Sequence, residues 1–342
     1  MDGPNGWATA PNRSATMPLL PTGLQSITFG KRFNHGLDNT ELPCELKTLT
    51  FGAMFNKTLA WTSFPNSLRN LTFGNYFDQD MQYAMLPSNL KTLTFGLAFN
   101  QSLDLTTLPY GLQTLTFTGI FNHSLDDTTL PKGLKNLTFG VSFNQSLDHT
   151  KLPMGLKNLT FGRDFNQKLD NTKLPSRLQI LTFGDNFDQS LSNTTLPDKL
   201  RTLTFGKSFN QCLDDTALPH RLQNLTFGCD FDQNLDGATL PSGLKNLKFG
   251  ERFNQKIHKT IFPNKLQSLT FGRDFHQPLE LVILPSGLQS LTLGHQFDES
   301  LQYMILPSSL QEITFGSCFN RSLSSLVPEA WFYESNKRRR LC

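Results

Sequence analysis

Long apolar runs are missing from this chain: no stretch approaches the roughly 18 residues that a membrane-spanning helix needs, which argues against a transmembrane helix. The first twenty residues, "MDGPNGWATAPNRSATMPLL", lack both the basic start and the continuous apolar stretch of a secretion signal. An intracellular protein is therefore expected, cytoplasmic by default. Charge is also scarce, with Asp, Glu, Lys and Arg making up 17% of the residues and a formal net charge of +3. So weak a balance gives no reason to expect nucleic acid as the partner. Cysteine is sparse and odd in number: Cys44, Cys212, Cys229, Cys318 and Cys342 fall in no pair spaced like a metal site or a disulfide framework. Tyr and Trp are few, five and three, yet Phe reaches 30. That imbalance is the first positive feature.

Its cause is a repeat. Prolines preceded by Leu or Phe recur every 22 residues from Pro21 to Pro307, so fourteen units occupy residues 21–328. A fixed period of this size implies a solenoid or another stacked array in which each unit is one turn of chain. Numbering each unit from its proline, position 13 is Phe in all fourteen units and position 9 is Phe in thirteen, Leu293 being the exception. These two columns hold 27 of the 30 phenylalanines, so Phe forms a core spine here. Leu or a close substitute fills positions 4, 7, 17 and 22. Positions 7 and 9 are two apart, the spacing of a strand with one buried face. Stacked strands at about 4.8 Å per coil would make a body on the order of 65 Å long.

The polar columns read as structure. Position 10, right after the strand, is Gly in thirteen units, as a positive φ or a close backbone approach requires. Position 14 is Asn or Asp in thirteen units and is expected to satisfy turn backbone groups as a stacked ladder. Asp is frequent at position 18 and Thr at position 20, read as turn chemistry before the proline. The expected fold is mainly β: one leucine-rich-repeat-like solenoid of about fourteen coils, one short parallel strand per coil. It leaves room for a short outer strand or 3₁₀ turn and little or none for α-helix. The domain boundaries are an extension and cap at 1–20, the solenoid at 21–328, and a cap with a basic tail at 329–342.

At "LPKGLKNLTFGVSFNQSL" and its copies the chain resembles the FNIP repeat, a 22-residue relative of leucine-rich repeats. Most units read Phe-Asn-Gln where the family signature is Phe-Asn-Ile-Pro, and Phe275-His276-Gln277-Pro278 departs further at the Asn. The resemblance implies the solenoid and offers no catalytic residue. Arrays of this kind are sometimes fused to F-box or kinase domains. Neither is present in these residues, so such a domain is expected to bind in trans.

No chemistry emerges from the reactive residues. The seven histidines occupy unrelated repeat positions or lie several coils apart, and no phosphate-cradling glycine loop is present. No enzyme activity, metal or cofactor is expected. Asn-Leu-Thr and Asn-Gln-Ser match glycosylation acceptors only because the repeat columns coincide with that pattern.

Three surfaces are candidates for binding. The first is the strand face, where position 8 is Thr in thirteen units and, with position 6, points outward. Such a Thr ladder is the basis of an alternative ice- or carbohydrate-binding reading, although β-branched Thr suits any exposed strand. The second is position 5, basic in seven units and Gln in the rest, read as a solvated stripe that an acidic column at position 18 offsets. The third is position 19, usually polar. It becomes Trp61, Tyr83 and Leu105 in three consecutive coils, and Leu281 and Tyr303 near the other end. Contiguous apolar surface on a polar column marks an interface, with repacking of atypical end coils as the competing reading. Beyond the array, Trp7 and the segment Trp331, Phe332 and Tyr333 are candidate caps, and Lys337, Arg338, Arg339 and Arg340 form a basic tail suited to nuclear import or phosphate anchoring. The expectation is a non-catalytic scaffold presenting an extended surface to a protein partner, with a structural or self-associating solenoid as the alternative.

Overall fold

The computed structural model describes residues 20–323 apart from Asn39 and Tyr303, together with Val327–Pro328. Fourteen short parallel strands, from Ser26–Thr28 to Glu312–Thr314, form one sheet in which each pairs with its neighbours along the chain. Successive repeats thus make thirteen complete turns and carry the strand of a fourteenth. Register is in step with the period: Asn136 pairs Asn158, Leu137 pairs Leu159 and Thr138 pairs Thr160. No helix occurs among the described residues.

Each strand is three or four residues long because its sequence allows no more. In coil 7 (residues 153–174), a turn donating Leu156 N–H to Pro153 O at 3.0 Å precedes the strand Asn158–Thr160. A second turn follows, with Phe165 N–H donated to Gly162 O at 3.4 Å, and a third closes at Thr172 N–H to Leu169 O, 3.0 Å. Three corners per coil give a roughly triangular section. One side carries the sheet; the corner at positions 17–20 lies opposite it.

The interior is aromatic and leucine-rich. Within a coil the position 9 and 13 rings stack face to face, as in Phe183 and Phe187 with centroids 3.8 Å apart. Between coils the position 13 rings stack in an unbroken column from Phe33 to Phe319, with neighbours such as Phe165 and Phe187 6.1 Å apart. Offset stacking of this kind adds to the burial of large apolar surface. The position 9 column is interrupted at Leu293, which remains buried at 2% exposure.

Position 10 has glycine because of crowding. A Cβ on Gly184 would fall well inside 3.0 Å of the Gly162 carbonyl oxygen, and none of these glycines has a left-handed φ. Of the two reasons for glycine in this column, close approach is the operative one. Coil 5 shows the same need displaced by one residue. Thr118 takes the glycine's place, its Oγ1 donating to Phe95 O at 3.0 Å, and Gly119 supplies the close approach to Leu97 O.

Position 14 forms the expected ladder. Asn166 Oδ1 accepts the Asp188 backbone N–H at 2.9 Å and Gln189 Nε2 at 3.0 Å, and the same pair of bonds recurs along the array. The His276 backbone N–H donates to Asn254 Oδ1 at 3.0 Å, but His276 has no amide oxygen to accept from the next coil.

Positions 18 and 20 differ from the expectation of simple turn chemistry. The Thr side chain is buried and reaches back to the preceding coil: Thr150 Oγ1 donates to Asp126 Oδ1 at 2.8 Å. Asp126 N–H in turn donates to Ser124 Oγ at 3.1 Å. The bond is not made in every coil: the hydroxyls of Thr62, Thr106, Thr194, Thr216 and Thr260 are buried without a partner. For Thr106 and Thr216 the preceding coil has Gln82 or Ser192 in place of Asp; the other three lack the bond although Asp38, Asp170 and Asp236 stand there. Replacing a bonded hydroxyl loses about 1 kcal/mol, whereas an unpartnered one carries only its desolvation cost. Thr150→Val should therefore lower stability by about 1 kcal/mol and Thr216→Val should leave it unchanged or raise it, as read from urea unfolding midpoints.

The outer strand for which the sequence left room appears once among the described residues. Ile305–Leu306, at positions 21 and 22 of coil 13, pairs in parallel with Val327–Pro328.

Candidate functional site

The corner at positions 17–20 presents the predicted apolar residues to solvent. Trp61 is 80% exposed, Tyr83 69% and Leu105 75%, one per coil in coils 2 to 4. Met85, at position 21 of coil 3, extends the patch. The alternation that aims position 19 outward is visible in the flanking column, where Thr62 and Thr106 at position 20 point inward and are buried. At the other end Leu281 is exposed in the same way, joined by Ile261 and Ile283 at position 21, over the buried side chains of Val282, Leu284 and Met304. Tyr303 lies outside the described residues, as do Trp7, the aromatic segment 331–333 and the basic tail Lys337, Arg338, Arg339 and Arg340.

The strand face is flatter and more uniform. Outward Thr side chains at position 8 are half-buried through most of the sheet, because neighbouring strands crowd them. Position 6 contributes a second, mixed column in which Asn136 Nδ2 donates to Thr114 Oγ1 at 3.0 Å and Asn158 Nδ2 to Asn136 Oδ1 at 2.6 Å. Much of this polar face is therefore spoken for between coils. The position 5 cations behave similarly: Lys47 Nζ donates to Gln25 Oε1 at 3.1 Å and Lys91 Nζ to Gly111 O at 3.2 Å.

One apolar column escaped the sequence reading. The corner at positions 11 and 12, which follows the strand and borders the sheet, carries Met54, Tyr76, Leu97, Ile120 and Val141 in coils 2 to 6. From coil 7 to coil 12 the corner is charged, with Arg163 Nε 2.9 Å from Asp164 Oδ1 and Arg252 Nη1 3.1 Å from Asp230 Oδ1. A column-by-column comparison of positions 11 and 12 would have found the change. It was hidden because the apolar residue is at position 12 in three of these coils and at position 11 in the other two.

Reactive groups do not converge. Among the described residues, no three His, Cys, Asp or Glu side chains come together as a metal site. At Cys212 the Asp214 backbone N–H, 3.5 Å from Sγ, favours the thiolate. Burial and the carboxylates of Asp214 and Asp215 outweigh it and push the thiol above its usual range. That is the wrong direction for a nucleophile.

This geometry is a stack of identical coils with local apolar departures, and sequence comparison agrees with it. The FNIP repeat profile matches residues 12–53, 55–98, 99–142, 121–164, 143–186, 165–208, 187–230, 231–274 and 275–318. The chain belongs to the FNIP repeat family. As an FNIP-repeat array it is similar to CroV588, a circular leucine-rich-repeat protein, at 40% identity and a TM-score of 0.85. The match covers 91% of this chain and 46% of CroV588, so the array spans about half the length of that protein. It is also similar to the internalin InlF of Listeria monocytogenes, with a TM-score of 0.59 and 88% of each chain covered. At 14% identity that likeness concerns the fold alone. No curated protein sequence matches the chain. FNIP repeats and leucine-rich-repeat-like solenoids are typically non-catalytic and commonly serve as protein-interaction scaffolds.

Proposed function

We propose that this FNIP-repeat array is a non-catalytic scaffold that binds a protein partner through the corner at positions 19 and 21 of coils 2 to 4. The carrying observation is that Trp61, Tyr83 and Leu105 are largely exposed in three consecutive coils of a column that is polar in most others. Exposed Trp and Tyr on a rigid backbone are what binding hot spots are made from, since few rotamers are lost on contact. Rigidity here comes from the backbone: the Thr62 N–H is donated to Leu59 O at 3.0 Å and that of Thr106 to Leu103 O at 2.9 Å. The partner is taken to be a protein and its place the cytoplasm, with Lys337 to Arg340 as a candidate import or anchoring sequence.

A second exposed apolar group, Leu281, Ile261 and Ile283, supports the alternative of a self-associating solenoid, because it sets aliphatic surface on neighbouring coils. The test is affinity capture from native lysate with the wild type and a Trp61→Asp, Tyr83→Asp double variant, both verified as folded by circular dichroism. A partner retained by the wild type and lost from the variant supports the reading. Identical captures by both proteins would remove this corner from consideration.

A further inference from the structure

The corner at positions 11 and 12 carries an apolar row with a definite beginning and end. Met54, Tyr76, Leu97, Ile120 and Val141 are between 37% and 61% exposed and occupy five consecutive coils. Lys31 and Arg32 precede the row in coil 1; Arg163, Asp164 and Asp185 follow it in coils 7 and 8. The row is held rung to rung by backbone bonds: Tyr76 N–H to Ala53 O at 2.9 Å, Ile120 N–H to Leu97 O at 2.9 Å, and Asp164 N–H to Val141 O at 2.8 Å. A surface fixed in this way needs little ordering on contact.

We propose that this row is the twofold interface of a homodimer, in which a second copy of the chain packs antiparallel with Leu97 on the axis. A twofold contact must be self-complementary, each residue meeting its counterpart on reversal. Reversed about coil 4, the row sets Met54 against Val141, Tyr76 against Ile120, and Leu97 against its own copy. Long or aromatic side chains thus meet β-branched ones, and no pair sets two bulky rings against each other.

The ends fit the same symmetry. Coil 1 falls opposite coil 7, so the cations Lys31 and Arg32 face the Arg163–Asp164 ion pair, with Asp185 of coil 8 one coil beyond it adding a negative charge. Both carboxylates are close enough to Arg163 to hold its guanidinium above its usual value, first through the Asp164 hydrogen bond and charge and then through the Asp185 charge. A parallel arrangement would instead set Lys31 and Arg32 against their own copies, which repel. From coil 1 to coil 7 the strip is about 29 Å long at strand spacing. So narrow a strip belongs at the small end of interfaces, and a reversible dimer is expected. The contact lies on a different corner from Trp61 and stands or falls independently of the partner site proposed there.

Sedimentation equilibrium of the full chain over a roughly hundredfold concentration range reads the association directly. The wild type should pass from monomer to dimer, and Leu97→Asp, which brings two carboxylates together on the axis, should weaken dimerisation at least about tenfold. Arg32→Glu should weaken it less, with recovery when combined with Asp164→Lys. Register is read by disulfide trapping in a background where the five native cysteines are replaced by serine. Leu97→Cys should link to its own copy, and Met54→Cys only when mixed with Val141→Cys. A chain that stays monomeric throughout, a dimer indifferent to Leu97→Asp, or Met54→Cys linking to itself would each overturn the proposal.

Discussion

Gly184→Ala should destabilise the chain by on the order of 3–5 kcal/mol, the range of a serious core lesion. Conformational entropy alone predicts the opposite sign. Gly184 does not have a left-handed φ, and at such a site alanine usually stabilises by about 0.4–1 kcal/mol. What decides the matter is the neighbour. The new Cβ would sit well inside 3.0 Å of both the oxygen and the carbon of the Gly162 carbonyl, and this obstacle is backbone that cannot swing aside. The coils would have to part. Parting stretches the Asn186 N–H bond to Arg163 O at 2.8 Å and the ladder bond from Asp188 N–H to Asn166 Oδ1 at 2.9 Å. Gly30 is the control, since a Cβ there meets nothing within 4 Å. Urea unfolding of both variants should show a large loss for Gly184→Ala and a change within about 0.5–1 kcal/mol for Gly30→Ala. Equal behaviour would refute the close-approach account of this column.

Phe187→Ala should cost about 3–5 kcal/mol and should break the array locally. The Phe187 ring has no exposure, stacks on Phe183 at 3.8 Å, and contacts the rings of Phe165 and Phe209 at 6.1 and 6.0 Å. Removing it leaves a cavity bordered by three rings that are themselves fixed by their own coils, so collapse is restricted. In a linear array each coil is stabilised only by its two neighbours, and a weak coil is where the stack opens. Hydrogen exchange should therefore become fast first in coils 7 to 9, with coils far from the site still protected. Phe33→Ala in coil 1, where the ring is only half-buried, should cost markedly less and leave the middle coils unchanged. Uniform loss of protection after Phe187→Ala would mean that the chain unfolds as one unit, against the nearest-neighbour picture.

The fold was legible because period and column identity translate directly into stacking. Phe at positions 9 and 13, Leu at 4, 7 and 17, and the strand between the proline and glycine corners all lie where the repeat implied. The position 14 ladder was legible for the same reason: an amide oxygen repeated beside a core Phe has few other uses. Cross-coil side-chain geometry was less accessible. The bond from Thr150 to Asp126 joins residues 24 apart, one full coil plus two, and it falls between columns that look separately like turn formers.

The candidate sites divide in the same manner. Exposure of Trp61, Tyr83, Leu105 and Leu281 followed from the polarity of position 19 in other coils. The row from Met54 to Val141 did not, because it is divided between positions 11 and 12 and neither column alone reads as apolar.

The sequence by itself determined the period, the stacked architecture, the identity of the core columns and the side of each strand that faces in. These depend on local alternation and repetition, which a single chain displays in full. Only the tertiary structure decided that glycine at position 10 answers a neighbouring carbonyl, that Trp61 projects from the corner opposite the sheet, and that a second apolar row borders it. Each of these is a relation between coils and corners. Distances across a stack depend on how 22 residues bend into a closed turn, and a one-dimensional pattern does not contain that bend.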